Sequence, residues 1–360
     1  MLEIQSFILR NPNWEELLSS PPYCLSIKRK DSRILFKYSQ INSDFSLDIV
    51  KEARGLILEE GTWKVVAYAF DKFFNYGESF AAKIDWNTAT ISSKEDGSIM
   101  KVYYYNNKWN VGTNSTIDSN DANLESPKYK NFKQLFDEAA KNSNLDYSRL
   151  NKDCTYIFEL VSPYNIICCP QDETKLFHLG TRNNITLEEF EDEIGVEKPK
   201  TYNFSSLNEC IDVASKLPFS QEGFVIKDKN YNRVKVKGLA YLKAHYLRVN
   251  NRLTIEKIIS ISLQNEAEEF LTYFPHSKES FDLVKEKMEI FRKKIRINFN
   301  KAKELKKMYP ERKDFAKIVI KEKCPLLYFL TYDNKIKNSD EWLDSLELKE
   351  WLKFFRIFDI

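Results

Sequence analysis

The hydrophobic pattern of this chain changes its period about two-thirds of the way along, near residues 245–255. Before that point, short apolar and β-branched segments alternate with Asn, Asp and Gly turns, which is typical of strands. After residue 253, apolar residues recur every three or four positions, as on one face of a helix. A length of 360 residues also favours two domains over one. We therefore predict two domains, residues 1–250 and residues 251–360.

The first region is predicted to be rich in strands. The strand-like segments are RILFKYS, RGLILEE, WKVVAYAF, ATISSKEDG, MKVYYYNN, WNVGT, TYIFELV, YNIICC, KLFHLGT, GFVIKD and RVKVK. Three helical patterns lie between them, in ESPKYKNFKQLFDEAAKN, LEEFEDEIG and LNECIDVASKLP. Because strands dominate without regular βαβ alternation, we expect an α+β fold of largely antiparallel sheets with packed helices, not a doubly wound sheet.

The second region is predicted to be entirely helical. Its apolar residues from Phe281 to Leu305 form one stripe, and the opposite face carries lysine and arginine. Tyr309-Pro310 should end this long helix. Further helices are expected at 311–323 and 339–356, with PLLYFLTYDNK between them as a buried strand or a turn.

The charge of the chain is unevenly distributed. The formal net charge is +2, yet residues 278–323 contain 16 Lys/Arg and only 8 Asp/Glu. A local cationic segment in a near-neutral chain is a reasonable footprint for polyphosphate or nucleic acid.

Composition also excludes several classes of protein. No apolar run approaches the ~20 residues that cross a bilayer, and the acidic, amphipathic N-terminus does not resemble an export signal, so we expect a cytoplasmic protein. The 6 cysteines are scattered, which favours reduced thiols over a disulfide framework or a zinc site. The 3 histidines lie far apart, and a histidine-based metal site is not expected.

The segment Lys94-Glu95-Asp96-Gly97-Ser98 places an amine two residues before a carboxylate and three before a glycine. A lysine amine can attack an α-phosphate to form a phosphoramidate, which is labile enough to pass the nucleotide on. Glycine near the nucleophile lets the backbone approach the nucleotide closely. This K-x-D-G pattern alone is weak, because a simple turn between two strands also accounts for it.

Four other segments supply what lysine adenylation requires. Glu159 ends the strand TYIFELV, Glu222-Gly223 opens EGFVIKD, and Lys235 and Lys237 alternate on one face of RVKVK; Arg54 and Lys72 lie upstream. Converging ammonium groups offset the charge of an α-phosphate, and arginine suits a phosphate clamp. Each residue also has a structural explanation, since strand carboxylates and alternating strand lysines are usually exposed surface. Their order along the chain is what favours function.

With these residues in this order, the chain resembles the covalent nucleotidyltransferase superfamily, and within it the phage-type RNA ligase 1 family of tRNA-repair ligases. ARGLILEE, DKFFN, FELVSPYNIIC and KVKGLAYLKAHY carry the likeness, over roughly residues 25–250. The resemblance implies a nucleotidyltransferase domain, similar to an ATP-grasp-like ligase domain, followed by a helical, basic C-terminal domain. It also implies an enzyme, an ATP-dependent RNA ligase.

The resemblance assigns roles residue by residue. It implies that Lys94 carries AMP and that Ser93 and Tyr38 lie at the nucleotide. Phosphate contacts are implied for Arg54 and Lys72, and binding of the α-phosphate for Lys235 and Lys237. By the same resemblance, Glu159 and Glu222 bind ribose and metal, and Tyr241 matches a functionally important tyrosine. Glu268 approximates an acidic metal ligand of the family's tail. The family's lysines after the nucleophile have no counterpart here, where Gly112 and Asn114 stand nearest.

The implied cofactors are ATP and Mg²⁺ or Mn²⁺. The implied partner is RNA with 5′-phosphate and 3′-hydroxyl ends. Cleaved tRNA is one candidate substrate, and RNA repair is the implied role. A monomer is expected, in the host cytoplasm if a bacteriophage encodes it.

Three alternatives stay open. A DNA ligase and a GTP-dependent mRNA-capping guanylyltransferase share the motifs, although both normally follow the nucleotidyl domain with a β-rich OB-fold. A non-catalytic RNA-binding protein on a ligase scaffold is the third. The basic face of the helical tail is either an RNA-docking surface or a solvated face of a helix that covers the first domain.

Overall fold

The computed structural model describes residues 1–246 and 253–357, except for the side chains of residues 341, 356 and 357. The chain divides into two compact units, Met1–Asn251 and Arg252–Ile360. None of the helices in the described ranges combines the length and the apolar character needed to cross a membrane.

The first unit contains strands and helices. Its strands are β1 (Ser26–Lys30), β2 (Arg33–Lys37), β3 (Arg54–Glu59), β4 (Val65–Ala67), β5 (Phe74–Asn75), β6 (Thr90–Lys94), β7 (Ser98–Tyr105), β8 (Lys108–Thr113), β9 (Cys154–Val161), β10 (Lys175–Asn183), β11 (Glu189–Phe190), β12 (Thr201–Tyr202), β13 (Gly223–Lys227) and β14 (Arg233–Lys237). Its helices are α1 (Glu3–Arg10), α2 (Trp14–Ser19), α3 (Asp48–Glu52), α4 (Phe132–Asn142), α5 (Leu207–Ser215) and α6 (Leu239–Tyr246).

The strands form sheets with the orders β1-β2-β3-β4, β11-β10-β9-β7-β8 and β12-β6-β13-β14-β5. Their pairings are antiparallel except for the short parallel pair of β14 and β5. The predicted α+β class, with largely antiparallel sheets, is therefore confirmed. Helix α4 packs on the second sheet through Leu135, Phe136 and Ala139, and α5 packs on the third through Cys210 and Ala214.

The first unit corrects two sequence predictions. Residues 164–169, predicted as a strand, form turns, because the backbone N–H groups of Cys168 and Cys169 donate to the carboxylate of Asp96 instead of to a neighbouring strand. Residues 187–195, predicted as a helix, begin with Leu187 at a φ of 68°, which a helix does not allow. Glu189 then joins β11 and pairs with Arg182 and Arg233.

The second unit contains α7 (Ile255–Leu263), α8 (Ala267–Tyr273), α9 (Lys278–Met308), α10 (Arg312–Val319), α11 (Pro325–Tyr332), α12 (Ser339–Ser345) and α13 (Leu348–Ile357). The predicted stripe of α9 is buried, at Phe281, Val284, Met288, Phe291, Ile295, Phe299 and Ala302. Residues 325–332, predicted as a strand or turn, are helical, and Pro325 occupies the first turn, where its missing N–H has no cost.

Candidate active site

Three neighbouring strands of the third sheet bring Lys94 and Lys237 together. Gly223 on β13 lies opposite Lys94 on β6 and also opposite Lys237 on β14. Residues in such a row project from the same face of a sheet. The two lysines, which are far apart in sequence, therefore flank one glycine.

Glu222 binds both lysines from the position before this glycine. One of its carboxylate oxygens accepts a hydrogen bond from Lys94 Nζ at 2.7 Å, and the other lies 3.8 Å from Lys237 Nζ. The Glu222 side chain is 4 % exposed and that of Lys94 is 22 % exposed. A buried carboxylate with two ammonium neighbours keeps the local charge balanced.

Two glycines make this arrangement possible. Gly223 has a φ of +145°, and a Cβ there would lie 2.1 Å from the carbonyl oxygen of Val236. A Cβ on Gly97 would lie 2.2 Å from the carbonyl oxygen of Leu160 on β9. The glycine of the K-x-D-G segment is therefore required by the close approach of β9, a reason that the sequence does not reveal.

Asp96 anchors the turn that follows Lys94. Its Oδ1 accepts a hydrogen bond from the Tyr241 hydroxyl at 2.9 Å, and its Oδ2 accepts the backbone N–H groups of Cys168 at 2.8 Å and Cys169 at 2.6 Å. Burial raises the pKa of Tyr241, and the carboxylates of Glu222 and Asp96 add to the rise, so the phenol stays protonated and donates. Asp96 thus ties the lysine turn to α6.

A cavity of about 750 Å³ opens beside Lys94, within the range of small-molecule sites. Residues of the third sheet, the second sheet and β3 line it, among them Arg54, Phe73, Ser93, Lys94, Asn114, Glu159 and Lys235. The guanidinium of Arg54 lies 5.2 Å from the centre of the Phe73 ring, and Lys235 Nζ lies 5.1 Å from it. One aromatic ring thus holds two cations at the cavity wall.

Glu159 supplies a carboxyl group to the same cavity from β9. Burial raises the pKa of this group to about 8; Glu222 adds to the rise, while the charges of Lys94 and Arg54 oppose it. Near neutral pH this carboxyl group is therefore protonated, and it can ionise when a cationic group binds beside it.

Residues 52–246 match the family model described as RNA ligase. The chain belongs to this RNA ligase family.

Curated relatives of the family have similar names. A protein of Autographa californica nuclear polyhedrosis virus, named as a bifunctional polynucleotide kinase/RNA ligase, is 32 % identical over 266 residues, which cover 68 % of this chain and 38 % of the viral protein. An RNA ligase of Rhodothermus phage RM378 is 25 % identical and covers 76 % of this chain and 77 % of its own. The chain thus spans well under half of the viral relative.

Solved structures give a weaker likeness. An archaeal ATP-dependent RNA ligase is 13 % identical with a TM-score of 0.44, covering 69 % of this chain and 66 % of its own. An Aquifex aeolicus protein whose title names an ATP-dependent DNA ligase is 12 % identical with a TM-score of 0.42, covering 76 % of this chain and 77 % of its own.

The predicted site residues of this family member fall into two sets. The first set lines the cavity and consists of Arg54, Ser93, Lys94, Glu159 and Lys235. Glu222 joins this set through its ion pair with Lys94, and Lys237 joins it through its ion pair with Glu222. Ser93 also donates its backbone N–H to Lys200 at 2.7 Å. These residues come from β3, β6, β9, β14 and the position just before β13, which explains why only their order was visible in the sequence.

Tyr38 and Lys72 lie outside the residues that line the cavity. The ammonium group of Lys72 sits 5.4 Å from the ring centre of Tyr38 and 5.5 Å from those of Phe45 and Phe74. Tyr241 contacts site residues through its hydrogen bond to Asp96 and through its ring, whose centre lies 5.8 Å from Lys237 Nζ. Direct contact of these three residues with a nucleotide stays a prediction.

Glu268 lies on α8 in the C-terminal unit, and its predicted role as a metal ligand stays a prediction. Within the part of the chain that the structure describes, no group of three or more His, Cys, Asp or Glu residues could hold a metal ion by itself. Any divalent cation at Glu159 and Glu222 would need further oxygen ligands from water or from a bound phosphate.

Sequence reasoning missed Phe73 and Asp96 as site residues, and it did not reveal that Lys101 on β7 is buried. Phe73 stands inside DKFFN, and Asp96 is the carboxylate of the K-x-D-G segment, so both were in view without an assigned role. Lys101 lies inside the strand segment MKVYYYNN. Nothing in that segment distinguishes a buried lysine from an exposed one.

Proposed function

We propose that this chain is an ATP-dependent RNA ligase that joins 5′-phosphate and 3′-hydroxyl RNA ends through an AMP carried on Lys94. The observation that carries the proposal is the row of Lys94, Gly223 and Lys237, closed by Glu222 and opening into a cationic cavity. The family membership of residues 52–246 supports the same reaction class.

In the first step, the neutral amine of Lys94 attacks the α-phosphorus of ATP. The Nζ–P bond forms, the bond from the α-phosphorus to the bridging oxygen breaks, pyrophosphate leaves, and the amine proton passes to solvent. Lys235 and Arg54 at the cavity wall, with Lys237 beside Lys94, would offset the phosphate charge. Such transfers depend chiefly on positioning and charge neutralisation.

In the second step, a 5′-phosphate oxygen of the RNA attacks the phosphorus of the bound AMP, and the Nζ–P bond breaks. In the third step, the 3′-hydroxyl attacks the 5′-phosphorus and AMP leaves, which seals the strand. Lys94 regains a proton after the second step and can pair again with Glu222.

Glu159 and Glu222 fit a role with Mg²⁺ or Mn²⁺ bound together with the triphosphate, because hard cations prefer carboxylate and phosphate oxygens. A bound divalent cation would neutralise phosphate charge during transfer. The raised pKa of Glu159 suits this role, since a neighbouring cation favours the ionised form. RNA repair, with cleaved tRNA as a substrate, remains part of the proposal.

The test is incubation of the protein with α-labelled ATP or GTP, followed by addition of RNA or DNA ends. We expect covalent label from ATP in the wild type and none in Lys94→Ala. The control Lys108→Ala, at an exposed lysine that begins β8, should label normally. Label from GTP would instead favour a guanylyltransferase, sealing of DNA alone would favour a DNA ligase, and RNA binding without any label would favour a non-catalytic protein.

A further inference from the structure

Lys101 is a lysine in the interior of the first unit. It lies in the middle of β7, opposite Gly112 of β8 and Ile157 of β9, and it is 0 % exposed. A buried lysine is normally paired with a carboxylate, because burying an unpaired charge is costly. Among the described residues, Lys101 forms no ion pair, and its ammonium group donates to the backbone carbonyl of Gly55.

Three chain segments meet at this ammonium group. Gly55 has a φ of +77°, and a Cβ there would lie 2.8 Å from both Cα and the carbonyl oxygen of Asn114 and 2.9 Å from Lys101 Nζ. The start of β3, the end of the β8 hairpin and the middle of β7 are therefore in close contact at one point. Only a glycine at position 55 leaves room for the lysine.

Two of these segments carry residues to the cavity, and Lys101 does not line it. Arg54, next to Gly55, and Asn114 both line the cavity. Arg54 Nη1 and Asn114 Oδ1 are buried without a hydrogen-bond partner among the described residues. The polar ends of Arg54 and Asn114 are thus not fixed by those atoms, whereas the backbone next to Arg54 is held where Lys101 donates to the carbonyl of Gly55.

We propose that Lys101 is a positioning residue that holds Arg54 in place for the phosphates of the nucleotide by binding the carbonyl of Gly55. This inference rests on the proposed function, because it assigns Arg54 to phosphate. It explains the lysine in this buried position better than a purely structural role does, since a methionine of similar length would fill the same space without the cost of burying an amine.

The electrostatic surroundings agree with this geometry. Burial, together with the charge of Arg54, lowers the pKa of Lys101 to about 7. The two groups are therefore close enough to interact, and a phosphate bound at Arg54 would favour the charged form of Lys101.

The test compares two ligands in Lys101→Met and the wild type, ATP and adenosine. We expect the KM for ATP in the labelling reaction to rise at least tenfold with a smaller change in kcat, while the affinity for adenosine, which has no phosphate, is unchanged. In an Arg54→Ala background, Lys101→Met should add little, because the residue through which Lys101 acts is already gone.

Other outcomes overturn the inference. Equal losses for ATP and adenosine would assign Lys101 to general packing, and unchanged KM for ATP would remove it from the site. If Lys101→Met does not unfold cooperatively, Lys101→Gln, which keeps a hydrogen-bond donor, is measured in its place. Failure of both variants to fold would assign the lysine to the core alone. A wild type that binds no ATP and forms no label would contradict the proposed function instead.

Discussion

The ammonium group of Lys94 lies 2.7 Å from a carboxylate oxygen of Glu222. A nucleophile in this ion pair cannot attack phosphorus until the pair opens. The negative charge of a triphosphate beside Lys235 and Lys237 could compete with Glu222 for the lysines. The ion pair is therefore a resting state that a bound nucleotide would replace.

Replacing Glu222 with Gln tests this pair. Glu222 is also the carboxylate proposed to bind a divalent cation with the triphosphate, and a neutral amide is a weaker ligand for a hard cation, so we expect Glu222→Gln to slow formation of labelled protein more than tenfold, or about 1.4 kcal/mol. The rate is measured at saturating α-labelled ATP, with exposed Glu125→Gln as the matched control. A wild-type rate in Glu222→Gln would show that the carboxylate only holds the empty site.

Asp96 and Tyr241 should contribute unequally to stability. Asp96→Ala removes the acceptor of two backbone N–H groups, and each buried donor left unsatisfied costs about 1–3 kcal/mol. Tyr241→Phe removes one hydrogen bond, about 0.5–1.5 kcal/mol. Urea unfolding should therefore rank Asp96→Ala as the more destabilised variant. The opposite ranking would mean that Tyr241, not the 168–169 turn, fixes the position of Asp96.

Glu159 should make stability depend on pH. Its pKa is raised to about 8 from an ordinary value of 4.5, so between these values the folded protein binds more protons than the unfolded chain. Stability from this group is present at low pH and is lost as pH rises through that window, at up to roughly 1.4 kcal/mol per pH unit. We expect the free energy of unfolding of Glu159→Gln to fall less than that of the wild type between pH 5 and pH 8. Parallel curves would contradict the raised pKa.

The basic face of α9 offers a test of the tail. Lys285, Lys293 and Lys303 are exposed on this helix. If the face docks RNA, changing all three to Gln should weaken RNA binding and lower the salt slope by up to about 2, at ~0.7 per phosphate contact with a single strand. Labelling of Lys94 should not change.

The matched control for this variant changes three exposed lysines of the first unit, Lys108, Lys141 and Lys152, to Gln. Equal losses of RNA affinity in the two triple variants would indicate a general charge effect. No loss from the α9 variant would favour a solvated helix face.

The sequence was sufficient to predict the α+β class and the set of residues around Lys94, because strand periodicity and motif order are local properties. It was misleading at residues 164–169, where apolar and β-branched residues resemble a strand but the backbone donors serve Asp96. That contact joins residues more than 70 positions apart, so no local pattern can reveal it.

The same limit explains why the sequence did not reveal the burial of Lys101 or the physical need for glycine at position 97. Alternation within MKVYYYNN places Lys101 on the face of β7 that carries Ile99 and Tyr103, but only the register with β9 shows that this face is buried. The K-x-D-G motif requires glycine at position 97, and only the position of Leu160 on β9 gives the physical reason.

Phe73 has a consequence for how the protein should be handled. Arg54 and Lys235 share its ring, so two positively charged groups face the same part of the cavity. Small oxyanions such as sulfate or inorganic phosphate should occupy this place readily when nucleotide is absent. Buffer composition would then compete with ATP, and affinities measured in phosphate or sulfate would underestimate those in a weakly coordinating salt.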